Sequence, residues 1–119
     1  MGQGLAEAVA AVGHEVTLMD RTTKIAEKAT RSIAESLERE IGRWGLTNSE
    51  KKAILARIHP SSDLSEAEEA EIILEAIPED LVKKRALLEK LDQICTPETM
   101  FITNTSTLSI SEIAALTQR

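Results

Sequence analysis

The segment Glu71-Ile72-Ile73-Leu74-Glu75-Ala76-Ile77 has an unbroken apolar centre, rich in β-branched residues and far too short to span a membrane. A run of this kind suits a strand covered on both faces, as in the parallel sheets of α/β proteins. Pro78 ends it, because proline brings no amide to the ladder. Glu79-Asp80 then opens a helix to about Ile94, with acids at its positive N-terminus. After the turn at Pro97, Met100-Phe101-Ile102-Thr103 reads as a second buried strand. Strand, helix and strand in succession predict a parallel pair joined by a crossover.

The rest of the chain keeps the same alternation. Leu5 to Gly13 is an Ala-rich helix closed by a C′ glycine, and Glu15 to Met19 is a short strand ending at Asp20. Thr22 or Thr23 can cap the next helix, whose apolar positions Ile25, Ala29, Ile33, Leu37 and Ile41 recur every four residues. Gly42 and Gly45 bracket its end around Trp44. Thr47-Asn48-Ser49-Glu50 has the pattern of a capping box for a shorter helix to about Arg57. Arg57 to Pro60 reads as a brief edge strand, and the polar stretch Ser61 to Ala70 as a loop or short helix. Ser109-Ile110-Ser111-Glu112 is a second capping-box pattern, opening a final helix to Thr117.

Composition narrows the function. The 119 residues suffice for one core, and a net charge of −6 argues against nucleic acid or an anionic membrane as partner. A local basic patch can still hold one phosphorylated ligand. The one cysteine, Cys95, makes neither an intrachain disulfide nor a metal cluster and fits a reducing compartment. His14 and His59 lack the spacing of a zinc site, so no metal is expected. Trp44 and Phe101 are the only aromatics, too few for a base-stacking platform. With no secretory signal or membrane span in view, the expected location is the cytoplasm.

Met1-Gly2-Gln3-Gly4 leads straight into a helix, and that helix into a strand ending at Asp20. This is the second half of a dinucleotide fingerprint, whose last glycine allows helix and strand to pack closely and whose helix amides meet a pyrophosphate. If Gly2 is that last glycine, Asp20 falls near the position expected of a ribose-binding acid, about 20 residues after the first. An acid there accepts from both ribose hydroxyls and repels a 2′-phosphate, favouring NAD over NADP. The predicted fold is therefore α/β, a Rossmann-like doubly wound parallel sheet. Because the order begins with a helix, it is expected to lack its first strand in this chain, the one between the Val16 and Ile73 strands.

Four motifs now stand in order: Met1-Gly2-Gln3-Gly4-Leu5-Ala6-Glu7, Gly13-His14-Glu15-Val16, Glu75-Ala76-Ile77-Pro78-Glu79-Asp80 and Asn104-Thr105-Ser106-Thr107-Leu108-Ser109-Ile110. Together they resemble the NAD-binding domain of the 3-hydroxyacyl-CoA dehydrogenases, most of all the bacterial 3-hydroxybutyryl-CoA enzymes, over essentially the whole chain. The resemblance implies oxidation of the 3-hydroxyl of an acyl-CoA in fatty-acid or butanoate metabolism, with hydride passed to NAD. It implies that Gly2 and Gly4 belong to the pyrophosphate loop, that Asp20 holds the adenine ribose, and that Glu79, Lys84 and Asn104 lie beside the nicotinamide half. It makes Ser106 both a cofactor neighbour and a catalytic residue, its hydroxyl orienting the reacting alcohol. Ser36 and Arg43, seven positions apart on the long helix, are implied at the CoA phosphate and adenine, with Arg43 replacing a family lysine.

Plainer readings stand beside these. Glu79 also suits a first-turn helix acid, Lys84 a solvated helix charge, Asn104 and Ser106 a polar turn, and Ser36 with Arg43 a solvated helix face. Cys95 reads as a small core residue, and His14 and His59 as surface positions matching no catalytic family position.

The resemblance also implies what lies outside 1–119: the glycine motif's opening strand, a catalytic histidine in a His-Phe-Phe-Asn-Pro segment with its glutamate, and a helical C-terminal domain. On that reading the chain is an NAD-binding domain fragment, inactive alone, weak toward NAD, and prone to self-association through a strand edge or the Leu5–Val12 helix face; a homo-oligomer is expected. The alternatives are a non-catalytic nucleotide-binding or interaction remnant, a related dehydrogenase of a substrate such as gulonate, and the dehydrogenase part of a multifunctional fatty-acid oxidation protein.

Overall fold

A computed structural model describes residues 1–43, 45–115 and 117–119. Their order is α1 (Gly2–Ala11), β1 (Val16–Met19), α2 (Thr23–Gly42), α3 (Asn48–Ala56), β2 (Ile58–Ser61), a single 3-10 turn (Leu64–Ala67), β3 (Ile72–Glu75), α4 (Leu81–Ile94), β4 (Met100–Thr103) and α5 (Ile110–Ala114). The alternation read from the sequence holds throughout. Two compact units result, Met1 with Gln3–Asp63 and Gly2 with Leu64–Arg119.

Local chemistry sets the helix ends. Glycine 13, at φ 102°, closes α1 in a Schellman arrangement, its amide donating to Ala10 O at 3.1 Å and that of His14 to Val9 O at 3.3 Å. The Thr22 hydroxyl accepts from Ile25 N at the head of α2. At α3 the capping box is complete, since Thr47 accepts from Glu50 N while the Glu50 carboxylate accepts from Thr47 N at 2.7 Å. The Asp80 carboxylate caps α4 through Lys83 N at 3.1 Å. Ser109 accepts from Glu112 N at α5, but no reciprocal bond forms, so the second box is half made.

In the first unit β1 and β2 pair in parallel, Val16 opposite Ile58 and Met19 opposite Ser61. Its core joins Ala6, Ala10, Ile33, Leu37, Ile54 and Ile58, with Val16, Leu18, Leu46 and Leu55 packed against them. Each such Ile or Leu contributes about 1.5–3 kcal/mol by leaving water. The spacing of four read along α2 drifts from the true period of 3.6. Ala26 is therefore buried in place of Ile25, which is exposed.

In the second unit β3 and β4 also pair in parallel, with Ile72 opposite Met100 and Glu75 opposite Thr103. The sequence suggested strands buried on both faces, and here the structure differs. Ile72 (54 % exposed), Leu74, Met100 (59 % exposed) and Ile102 line one open face, while Ile73, Phe101 and Glu75 line the covered one. The strands form two separate pairs rather than one sheet among the described residues. Elsewhere in this unit Cys95 is buried, its thiol donating to Ala67 O, as a small core residue should be.

Smaller departures lie at element ends. The first helix begins at Gly2 rather than Leu5, and α5 stops at Ala114, short of Thr117. Trp44, expected between the glycines ending α2, and Leu116, expected within the last helix, lie outside the described residues.

Candidate functional site

Gly2 and Gly4 occupy the first turn of α1, where backbone amides have no intrahelical partner. Met1 is the N-cap and supplies no side-chain bond, so those amides remain for an outside acceptor. A Cβ built on Gly4 would meet nothing within 4 Å, so the chain's own packing does not require glycine there. Asp20 directly follows the last residue of β1 and is exposed. Its Oδ1 accepts from Arg21 N at 2.7 Å, and Oδ2 has no hydrogen bond among the described residues. Ser36 is half-buried on α2, and Arg43 is exposed as that helix's C-cap. His14 and His59 are exposed in this same unit, His59 bonded to Glu15.

The second unit gathers its candidates at the carboxyl ends of β3 and β4. Side chains on a helix lean toward its N-terminus, and Lys84, in the first turns of α4, reaches back to the last residue of β3. Its Nζ donates to both Glu75 oxygens, at 2.8 and 2.9 Å, and to Ile77 O at 3.1 Å. Glu79 Oε1 lies 3.2 Å away. Glu75 and Lys84 are both wholly withdrawn from solvent. Lys84 is thus a buried, fully bonded cation and not the solvated helix charge that the sequence also allowed. Burial works against its charge, yet the bonds from Glu75 and Glu79 outweigh that and raise its pKa.

The Glu75 carboxylate accepts four hydrogen bonds from three donors, since besides Lys84 the Ile77 N donates to Oε1 at 2.7 Å and Thr103 Oγ1 to Oε2 at 2.5 Å. Glu79 accepts on Oε2 from Thr105 Oγ1 at 2.7 Å and Thr107 Oγ1 at 2.9 Å. These two hydroxyls, and after them Lys84, hold its carboxyl below the usual range. Asn104 N donates to Glu75 O at 2.9 Å, which extends the ladder one step past β4. Ser106 is exposed, and its hydroxyl has no hydrogen bond among the described residues.

The structure therefore brings together Glu79, Lys84, Asn104 and the segment carrying Ser106. Sequence reasoning missed Glu75, Thr103, Thr105 and Thr107 as parts of this cluster. Threonine at every second position from 103 to 107 was the available signal.

Residues 1–119 match the sequence model of the 3-hydroxyacyl-CoA dehydrogenase NAD-binding domain. The chain belongs to that family. Its relatives include a probable 3-hydroxybutyryl-CoA dehydrogenase of Bacillus subtilis, 39 % identical over the whole chain, and a 3-hydroxyadipyl-CoA dehydrogenase of Escherichia coli, 36 % identical over 97 % of it. The chain spans 42 % of the first protein's length and 24 % of the second's. The crystal structure of (S)-3-hydroxybutyryl-CoA dehydrogenase from Ralstonia eutropha superposes on all of it with a TM-score of 0.96 at 34 % identity, and the chain covers 42 % of that structure.

Family membership makes NAD the cofactor and the architecture Rossmann-like. The residues of the 3-hydroxyacyl-CoA dehydrogenase domain fit that cofactor. Uncapped amides at the head of α1 suit a pyrophosphate, and the open Oδ2 of Asp20 suits a ribose hydroxyl. Within each unit the candidates follow carboxyl ends of strands, Asp20 in the first and Glu79 and Ser106 in the second, the strand end at which doubly wound folds bind ligands.

Proposed function

We propose that this chain is the cofactor-binding part of an NAD-dependent dehydrogenase that oxidises a 3-hydroxyacyl-CoA to the 3-oxoacyl-CoA. The observation that carries this reading is the unpartnered Ser106 hydroxyl, exposed at the carboxyl end of β4 beside an anchored carboxylate, in a chain matched end to end by the family. When bound, NAD supplies a hydride acceptor. Gly2, Gly4 and Asp20 are assigned to the pyrophosphate and adenine ribose. Glu79, Lys84, Asn104 and Ser106 are assigned to the nicotinamide half, with Lys84 acting by holding Glu79, since its own donors are spent inside the protein.

Ser106 is the residue assigned to the reacting alcohol, where its hydroxyl donates to the substrate oxygen and orients the carbon that gives up hydride. The general base is assigned to the His-Phe-Phe-Asn-Pro segment that the family resemblance implies outside 1–119, since neither His14 nor His59 matches a catalytic family position. Arg43 and the Ser36 hydroxyl are the groups assigned to CoA. The exposed apolar face of Ile72, Leu74, Met100 and Ile102 supports a homo-oligomer. The lone buried cysteine supports a cytoplasmic location.

The test is direct. The full-length protein, given NAD and 3-hydroxybutyryl-CoA, should form NADH, read by absorbance, and should bind NAD in a calorimeter. Cofactor binding without turnover of any 3-hydroxyacyl-CoA would reduce the reading to a nucleotide-binding module.

A further inference from the structure

Thr105 and Thr107 stand on either side of Ser106, and both hydroxyls donate to one oxygen, Glu79 Oε2. Thr105 Oγ1 also accepts from Leu108 N at 3.1 Å, so a single hydroxyl fastens the segment to Glu79 and closes its turn. Glu79 is fixed in turn. Its other oxygen lies on Lys84, and Lys84 is anchored by the buried Glu75. Hydroxyl bonds to an ionised carboxylate are short and about twice as strong as neutral ones. The one side chain in this stretch with a free hydroxyl is Ser106, which lies between the two fastened threonines.

We propose that Thr105 and Thr107 are positioning residues for Ser106, acting through the Glu79 carboxylate. The dehydrogenase reading above supplies the role of Ser106, and the inference rests on it to that extent. Two bonds, one before Ser106 and one after, restrain the backbone on both sides of the residue. Without them the segment keeps its sequence but loses the orientation of the hydroxyl. Two acceptor directions of Oε2 are spent on threonines, so Glu79 serves first as the fastener of this segment.

The experiment compares the paired substitutions Thr105→Val with Thr107→Val, and Thr105→Ser with Thr107→Ser, in the full-length protein. Valine keeps the shape of threonine and removes the hydroxyl, whereas serine keeps the hydroxyl. Steady-state kinetics with 3-hydroxybutyryl-CoA and NAD are read together with amide hydrogen exchange across residues 104–108. The valine pair should lower kcat by about 10- to 100-fold, the scale of a misplaced reacting group. KM for NAD should change far less, and exchange across 104–108 should quicken. The serine pair should return both kcat and exchange close to the unsubstituted protein. Wild-type kcat in the valine pair, or equal loss in both pairs, overturns the inference. If the valine pair does not fold, Thr107→Val alone carries the comparison, because Thr105 then still closes the turn. A protein that never turns over 3-hydroxyacyl-CoA sinks the dehydrogenase reading instead. Exchange then decides the inference by itself: faster exchange in the valine pair upholds the fastening, and unchanged exchange overturns it.

Discussion

The Lys84 ammonium and the Glu75 carboxylate lie 2.8 Å apart, and neither side chain touches solvent. A buried charge is tolerated only when paired and fully hydrogen-bonded. Here Lys84 donates to three oxygens and lies 3.2 Å from a fourth on Glu79, and the Glu75 carboxylate accepts four bonds. The pair ties the last residue of β3 to α4.

Replacing Lys84 by Met should therefore strand a buried carboxylate and cost about 3–5 kcal/mol. Adding Glu75→Met to it should recover much of that loss, because an apolar pair needs no desolvated partner. Denaturant unfolding of the single and double variants checks this. A double variant no more stable than the single would show that the charge is not what destabilises.

Acid should unfold the protein from a predictable point. The Thr47 amide and hydroxyl bonds to Glu50, the Thr105 and Thr107 bonds to Glu79, the Lys83 amide on Asp80 and Arg119 on Asp92 all depress carboxyl pKa values. Depressed acids contribute stability that is complete above the ordinary carboxylate range, about 4, and is lost as pH falls below it through each folded value. The raised Lys84 acts at the other end, its contribution being lost as pH rises past the ordinary lysine value of about 10. Unfolding midpoints should stay level near neutrality and drop on both sides, which a pH series of thermal melts measures.

Asp20 should set cofactor choice. Its open carboxylate oxygen would face a 2′-phosphate at close range, and like-charge contact of this kind discriminates by repulsion. The neighbouring Arg21 guanidinium, exposed and 4.0 Å from Oδ1, is a cation that offsets part of this repulsion, so Arg21 is kept while Asp20 is replaced. In the full-length protein Asp20→Ser should cut the NAD-to-NADP ratio of kcat/KM by about 10-fold, equivalent to 1.4 kcal/mol. An unchanged ratio would remove Asp20 from the ribose.

Ser106→Ala should lower kcat by about 10²–10³-fold, the usual loss for one oriented transition-state donor. NAD affinity, read by calorimetry, should change little. Wild-type turnover in the alanine variant would leave Ser106 as a turn residue.

Features decided within a few residues were legible in the sequence alone. The Gly13 helix stop, the Thr47–Glu50 box and the Asp80 cap each depend on neighbours at most five positions away. Short-range bonding of this kind survives any arrangement of the rest of the chain. The order of helices and strands followed for the same reason, as did the four motifs that identified the family. Tertiary structure decided what lies between distant segments. The side chain of Lys84 read as a solvated charge because nothing near it announces that Glu75, nine positions back, is buried beneath it. Thr103 meets Glu75 across 28 positions, and Thr105 and Thr107 meet Glu79 across 26 and 28. Those bonds exist only because β3 and β4 pair in one register, and register is set by which strand faces are covered. The same dependence left Ile72 and Met100 open where their composition suggested burial, since an apolar residue is buried by what packs on it and not by its own character.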